Sequence, residues 1–548
     1  MFRSRTITDW DPEDINYNTF RWITSGAGFA MGPSRVNPLT GQILDADITM
    51  GNGWVTLPRR RSEAQYPRPM PAANADGSEA VATWLPGGAA RTQASRLPRD
   101  LGGSDDAAFE LCSYGQSAIA EASFALDLLA LRGGEALDPK EAERIVHATL
   151  KDVTTHEVGH TLGFRHNFRA STIYTQAQIN DPAFTRANGI GGSVMDYNAF
   201  NVALDKEPQG EYVMSTLGPY DYWAVEYAYK ELPAATESAE LQKIAARSSE
   251  PLLAYGTDEE IVGDLDGMDP EVNQRDVGGD PLEFARRRVQ LSRELFDRLQ
   301  ARELKPGEDY DILTRNFQSG LAQLGLAFEL AGKFVGGVVY RRDQAGSGRA
   351  PLTPVAADKQ RSALKLINDN LFAADGFNIK PEFASRLVES ALERGFTPPL
   401  DRSLDATLLG LQTATMDRLL SPRVAERLQN ARNKVGNGTP VLGLDELYGS
   451  LTRAVWGEGI ATADTTPARR ALQREHARRL ATIITRPGVG TAAGDARALH
   501  RLTAKTLLAR AQQAKGNSKL GNQTRAHLDE IIDTLDAALK AQASRTVG

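Results

Sequence analysis

Apolar positions along this chain recur with two different periods, and the change of period divides it. Residues 18–24 are rich in aromatic and β-branched side chains, and residues 42–50 alternate around Ile43, Ile48 and Met50, so both predict strands. Pro58 to Gly77, with several prolines and the run Arg59, Arg60, Arg61, predicts a long exposed loop. From Phe109 the period becomes helical. One helix is predicted to Arg132, and a second opens at Asp138, a good N-cap followed by Pro139 in the first turn, with Glu141 placed to complete a capping box. Ile145, Val146, Leu150, Val153 and Val158 form the stripe expected to seat that second helix on the sheet. Residues 234–300 read as helical around a Gly- and Asp-rich interruption at 256–280. From Pro281 to the end the spacing stays helical, as at Leu528, Ile531, Ile532 and Leu535, which predicts a bundle. Strands followed by helices make the fold class α+β.

Composition narrows this picture modestly. A chain of 548 residues can form two to four domains with sizeable cores. A net charge of −7 gives no reason to expect nucleic acid as a partner, and the basic residues between Arg469 and Arg510 read as solvated helix faces. Cys112 is the only cysteine, which rules out an intrachain disulfide and predicts a buried thiol. The N-terminus has no apolar core of a secretory signal. The apolar stretch from Gly320 to Tyr340 is interrupted by Gln323, Glu329 and Lys333, so no integral membrane segment is expected. Oligomeric state is open.

Chemistry concentrates in one place, His156-Glu157-Val158-Gly159-His160-Thr161-Leu162-Gly163-Phe164-Arg165-His166. On a helix, residues four apart leave the same face, so His156 and His160 can hold one cation between them. Glu157 is displaced from that pair yet near enough to take a proton from water at the metal. Gly163 sits where a helix stops in a left-handed turn, after which the chain doubles back and His166 can supply a third nitrogen. Five fixed residues at these offsets arise by chance with a probability on the order of 10⁻⁵. Three of the seven histidines lie here, whereas His147, His476, His500 and His527 are scattered and read as surface or core residues. Zinc is the implied metal.

About thirty residues on comes Ser193-Val194-Met195-Asp196-Tyr197. With the histidine motif it resembles the metzincin clan, in which a Met-bearing turn floors the zinc site. HEVGHTLGFRHNFRAS at 156–171, SVMDYNAFN at 193–201 and LGPYDYWAVEYAY at 217–229 are similar to the large bacterial zinc-dependent metalloproteases of the DUF5117/DUF4953 type. Flanking similarity extends from about residue 9 to at least residue 380. The resemblance implies a metzincin-like catalytic domain over 1–232, with a twisted mixed sheet and an active-site helix, a linker over 233–280, and a mainly α-helical C-terminal region over 281–548. It implies a protein or peptide substrate, an extracytoplasmic location, a packing role for Met195, and for Tyr197 either a donor to the developing oxyanion or a buried structural ring. Relatives carry an exported N-terminal portion, so upstream sequence is expected to be missing.

Two alternatives stay open. The site could serve a zinc amidase or deacylase acting on non-protein amides, or the chain could be a truncated, inactive binding module. Asp258, Glu259, Glu260, Asp264, Asp266, Asp269 and Asp276 in the interruption have the composition of a Ca²⁺ site without EF-hand spacing; the other reading is a solvated acidic loop.

Overall fold

Strand β4 (Ile43–Gly51) is the centre of a small mixed sheet, with β1 (Thr19–Ile23) parallel on one side and β2 (Ala30–Met31) and β3 (Ser34–Val36) antiparallel to it. The register sets Phe20 opposite Ile48 and Trp22 opposite Met50. This computed structural model describes residues 14–24, 30–51, 114–134, 138–261, 267–373, 376–388, 403–457, 464–486 and 490–541, with Asp11, Gly53 and Ile460. The expected loop at 58–77 and the Cys112 thiol lie outside the described residues.

Helix α1 (Tyr114–Arg132) is followed by α2 (Pro139–Thr161), which carries the first half of the histidine motif. Asp138 caps α2 by accepting from Lys140 N at 3.0 Å. Glu141 does not close a capping box; its carboxylate forms a bidentate pair with Arg144 one turn on. Ile145 and Val153 are buried as expected, but Val158 is 40% exposed. At 100° per residue Val158 points about 200° away from His156, so the face that buries the ligand leaves it in solvent.

Beyond the site the chain is helical. Helices α3 (Pro219–Tyr229), α4 (Pro281–Ala301) and α5 (Asp311–Phe334) precede a two-stranded antiparallel hairpin, β5 (Val338–Tyr340) with β6 (Leu352–Pro354). α4 packs along α5 and both lie against α1. Gly320 permits the close approach, because a Cβ there would stand 2.5 Å from the Phe296 ring. Two of the polar residues that argue against a membrane span are paired in this core, where Gln323 donates to Glu121 at 2.6 Å and Lys333 donates to Asn273 at 2.8 Å, and the third, Glu329, is exposed. No helix among the described residues is long and apolar enough to cross a membrane.

Helices α6 (Ala357–Ile367), α7 (Leu404–Leu419), α8 (Pro422–Ala431), α9 (Leu444–Trp456), α10 (Pro467–Thr485), α11 (Ala492–Lys515) and α12 (Asn522–Lys540) continue the apolar core. Leu528, Ile531 and Leu535 are buried in it, as their spacing predicts. Two residues of the basic stretch differ from expectation, Arg479, buried between Asp417 and Glu475, and Arg469, which turns in to donate to Phe372 O, whereas Arg478 is exposed as expected. Long side chains on Ala-rich helices can reach the core and pair there, which periodicity does not reveal.

A second, smaller core positions the site. Ala30, Ile48 and Met50 of the sheet, Tyr114 and Ala118 of α1 and Val153 of α2 meet Phe168, Tyr197 and Val272. The β2–β3 connection presses onto α2, where a Cβ on Gly32 would be 2.3 Å from the Glu157 carbonyl oxygen.

Candidate metal centre

Helix α2 ends by the device its sequence predicts. Gly163 takes φ +83°, its N–H donates to His160 O at 2.9 Å, and Phe164 N–H donates to Gly159 O at 3.1 Å, a Schellman closure. The left-handed residue reverses the chain and returns His166 to the face of α2 that carries His156 and His160. The ligand atoms of these three residues all lie within 4.8 Å of one another, with His160 Nε2 and His166 Nε2 3.1 Å apart. Among the described residues this is the one group of His, Cys, Asp or Glu that converges at metal-ligand spacing.

The donor set fits a zinc ion. His156 Nδ1 faces Val194 O at 2.7 Å and His160 Nδ1 faces Phe164 O at 2.9 Å. A carbonyl only accepts, so both Nδ1 atoms carry the proton and both Nε2 lone pairs are available. Burial, reinforced by the neighbouring imidazoles, holds His156 well below its ordinary pKa and His160 at about 4. Neutral imidazoles are the form a metal requires.

The other expected residues surround this cluster. Glu157 is fully buried beside His156. Met195 lies under α2 with its Sδ where a Cβ on Gly159 would come within 2.1 Å, so the glycine inside the motif is what lets the thioether pack against the helix between His156 and His160. Tyr197 is 2% exposed and packs edge-on to His166 at 4.8 Å and to Phe168 at 5.1 Å.

Several supporting residues carried no earlier assignment. Tyr114 stacks on Tyr197 at 4.9 Å, lies tilted against His156 at 4.6 Å, and donates to Asp152 at 2.7 Å. Burial raises the Asp152 carboxyl to about 7 against that hydrogen bond. Its signal was legible, since Asp152 is one helical turn before His156 on the ligand face. Asp221 fastens the Met195 turn, accepting from Ser193 Oγ at 2.6 Å and Val194 N at 3.0 Å.

Among the described residues, the carboxylates of the acidic interruption are engaged by protein partners and do not converge as a metal-binding group. Asp258 accepts from His166, Glu259 pairs with Arg165, Glu260 with Arg342 and Asp269 with Arg169. Asp276 accepts from Asn273 at 2.9 Å, and Asp264 and Asp266 lie outside the described residues. Thr257, Glu260, Asp269, Asn273 and Asp276 are buried. With the carboxylates already committed to cations and amides, the segment wraps the returning ligand loop: Phe168 N donates to Gly256 O, Asn273 N to Phe168 O and Arg275 N to Tyr197 O.

Residues 138–462, more than half of the chain, match a protein-family model described as Met-zincin (DUF4953). No curated protein and no solved structure matches the chain significantly.

Proposed function

The chain belongs to the Met-zincin family, and on that premise we propose that it is a zinc metallopeptidase that hydrolyses peptide bonds in proteins or peptides. The observation that carries this reading is the convergence of His156, His160 and His166 on one point, with their ligand atoms within 4.8 Å of one another. These three side chains would hold the ion. When bound, zinc supplies a Lewis acid that polarises the scissile carbonyl and acidifies a water.

In this reading the rest is the work of the chain. Glu157 accepts a proton from the attacking water and passes it to the amine nitrogen as the C–N bond breaks, so it acts as base and then as acid. Its helix fixes it next to His156, and the contact of Gly32 with its backbone keeps that stretch of α2 from shifting. Met195 floors the site, in the manner of a Met-turn. Tyr197 donates a hydrogen bond to the developing oxyanion, a role supported by its position against His166.

The test is hydrolysis of a quenched casein substrate and of short non-peptide amides, alongside zinc content by elemental analysis. Glu157→Gln should lower kcat by about 10²–10⁴-fold while zinc stays at one per chain. Undiminished proteolysis by a clean Glu157→Gln preparation would remove the base assignment, and turnover of the small amides alone would replace the peptidase reading by an amidase. Tyr197→Phe in the same assay separates an oxyanion donor, which lowers kcat, from a packing ring, which leaves it unchanged.

A further inference from the structure

The three histidines differ in what stands behind them. His156 and His160 are backed by main-chain carbonyls, those of Val194 and Phe164. His166 is backed by a carboxylate: Asp258 Oδ1 lies 2.9 Å from its Nδ1, and the two residues are 92 positions apart.

That contact is one rung of a continuous pairing between two segments. Arg165 donates to Glu259 at 2.7 Å, and the Asn167 amide donates to Ala254 O at 3.0 Å and accepts from Gly256 N at 3.2 Å. Phe168 N donates to Gly256 O at 2.7 Å. Each of the four residues from Arg165 to Phe168 therefore has a partner between Ala254 and Glu259, Gly256 serving two of them, and Arg165 also lies 3.8 Å from Asp258. The second segment is anchored in turn, because Glu260 accepts from Arg342 at 2.6 Å and the Arg342 guanidinium lies over Tyr255. Thr257 Oγ1 donates to Asp258 Oδ2 at 3.1 Å, which holds the carboxylate in its orientation.

We propose that Asp258 is the positioning residue of the third ligand: it accepts the hydrogen bond from His166 Nδ1–H, turns Nε2 toward His160 and the metal, and makes this imidazole the most strongly donating of the three. The inference rests on the zinc reading above. A carboxylate acceptor fixes both the tautomer and the ring angle, and it raises the basicity of the ligating nitrogen more than a neutral carbonyl does. The two histidines on α2 are oriented by a rigid helix and by main chain. The one on the return loop has only a side chain to do the same, so the site is most sensitive there.

Zinc affinity, measured by competition with a chromophoric chelator, and the visible spectrum of the cobalt-substituted protein test this without reference to turnover. Asp258→Ala should weaken zinc binding 10- to 100-fold and shift the cobalt bands, while Asp258→Asn, which keeps an acceptor but not the charge, should fall between it and the unmodified chain. Glu259→Gln, which loses the neighbouring rung but not the contact with the imidazole, should stay within about twofold. Unchanged affinity and spectrum in both Asp258 variants would overturn the proposal, as would an equal loss in Glu259→Gln, since the segment would then act only as a scaffold. If Asp258→Ala does not fold, the contrast between Asp258→Asn and Glu259→Gln decides the matter. An unmodified chain that takes up no zinc would instead overturn the zinc reading, and this assignment with it.

Discussion

Six of the seven histidines are buried or half-buried, and they fall into two sets that share burial but not an arrangement. His156, His160 and His166 meet at the end of α2. His476, His500 and His527 lie inside the C-terminal bundle, where burial holds them at about 3, 4 and 4. In the bundle each ring has its own neighbour: Trp456 donates to His476 at 3.0 Å, Gln473 meets His527 at 2.9 Å, and Tyr448 lies against His500 at 4.1 Å between centroids. Burial, and at His156 and His160 a depressed pKa, is thus common to a metal centre and to core packing. Convergence of the ring nitrogens, with each second nitrogen held from behind, is what separates them.

The strongest way to break this contrast is to remove one imidazole from each set. His160→Ala should weaken zinc binding on the order of 10²–10³-fold, one ligand's share of the binding energy of a zinc site, whereas His476→Ala should leave zinc content unchanged. Equal zinc loss in both would mean that the contrast is false.

Acid sharpens the comparison from the other side. Each bundle histidine is neutral when folded and has an ordinary pKa near 6.5 when unfolded, so the unfolded chain alone gains protons as pH falls below about 6.5. Stability from these groups is complete above about 6.5 and is lost as pH falls toward 3–4. His476, fully buried with Arg479 and the titratable His500 beside it, accounts for a few kcal/mol of that loss at about 1.4 kcal/mol per pH unit. Urea melts between pH 7 and pH 5 should show a shallower decline in His476→Gln, whose amide can still accept from Trp456 but does not titrate. Identical slopes would exclude His476 as a source.

The smallest effect concerns glycine. Gly159→Ala places a methyl on the Met195 thioether and should cost about 1–3 kcal/mol, recovered in part by pairing it with Met195→Ala. In the bundle, Gly494 on α11 has nothing within 4 Å of a Cβ, and Gly494→Ala should stabilise by about 0.5–1 kcal/mol. Thermal melts of the two variants should move in opposite directions.

Local signals account for what the sequence made legible. The Asp138 cap, the left-handed Gly163, the i, i+4 histidines and the strands around 19–23 and 43–51 are each written within a few residues. Asp258 and Glu259 were invisible as partners of His166 and Arg165, because only the tertiary path of the 254–260 segment brings them there. A run of carboxylates looks the same in sequence whether it is solvated, holds an ion or grips a ligand loop. Val158 shows the converse failure: a helical stripe drawn too wide admitted a residue that belongs to the solvent face.

The hydrogen bond from Phe168 to Gly256 and that from Asn273 to Phe168 also set a schedule for synthesis. A ribosome adding about 5–20 residues per second needs roughly 5–20 s to travel from the ligand loop to these partners. During that interval the three imidazoles have been synthesised and the Gly163 turn can form, but the hydrogen bonds that hold Phe168 to Gly256 and Asn273 are still missing. A nascent chain therefore carries its metal-binding residues before it can hold them in place, and competence arrives only with the segment that closes over them.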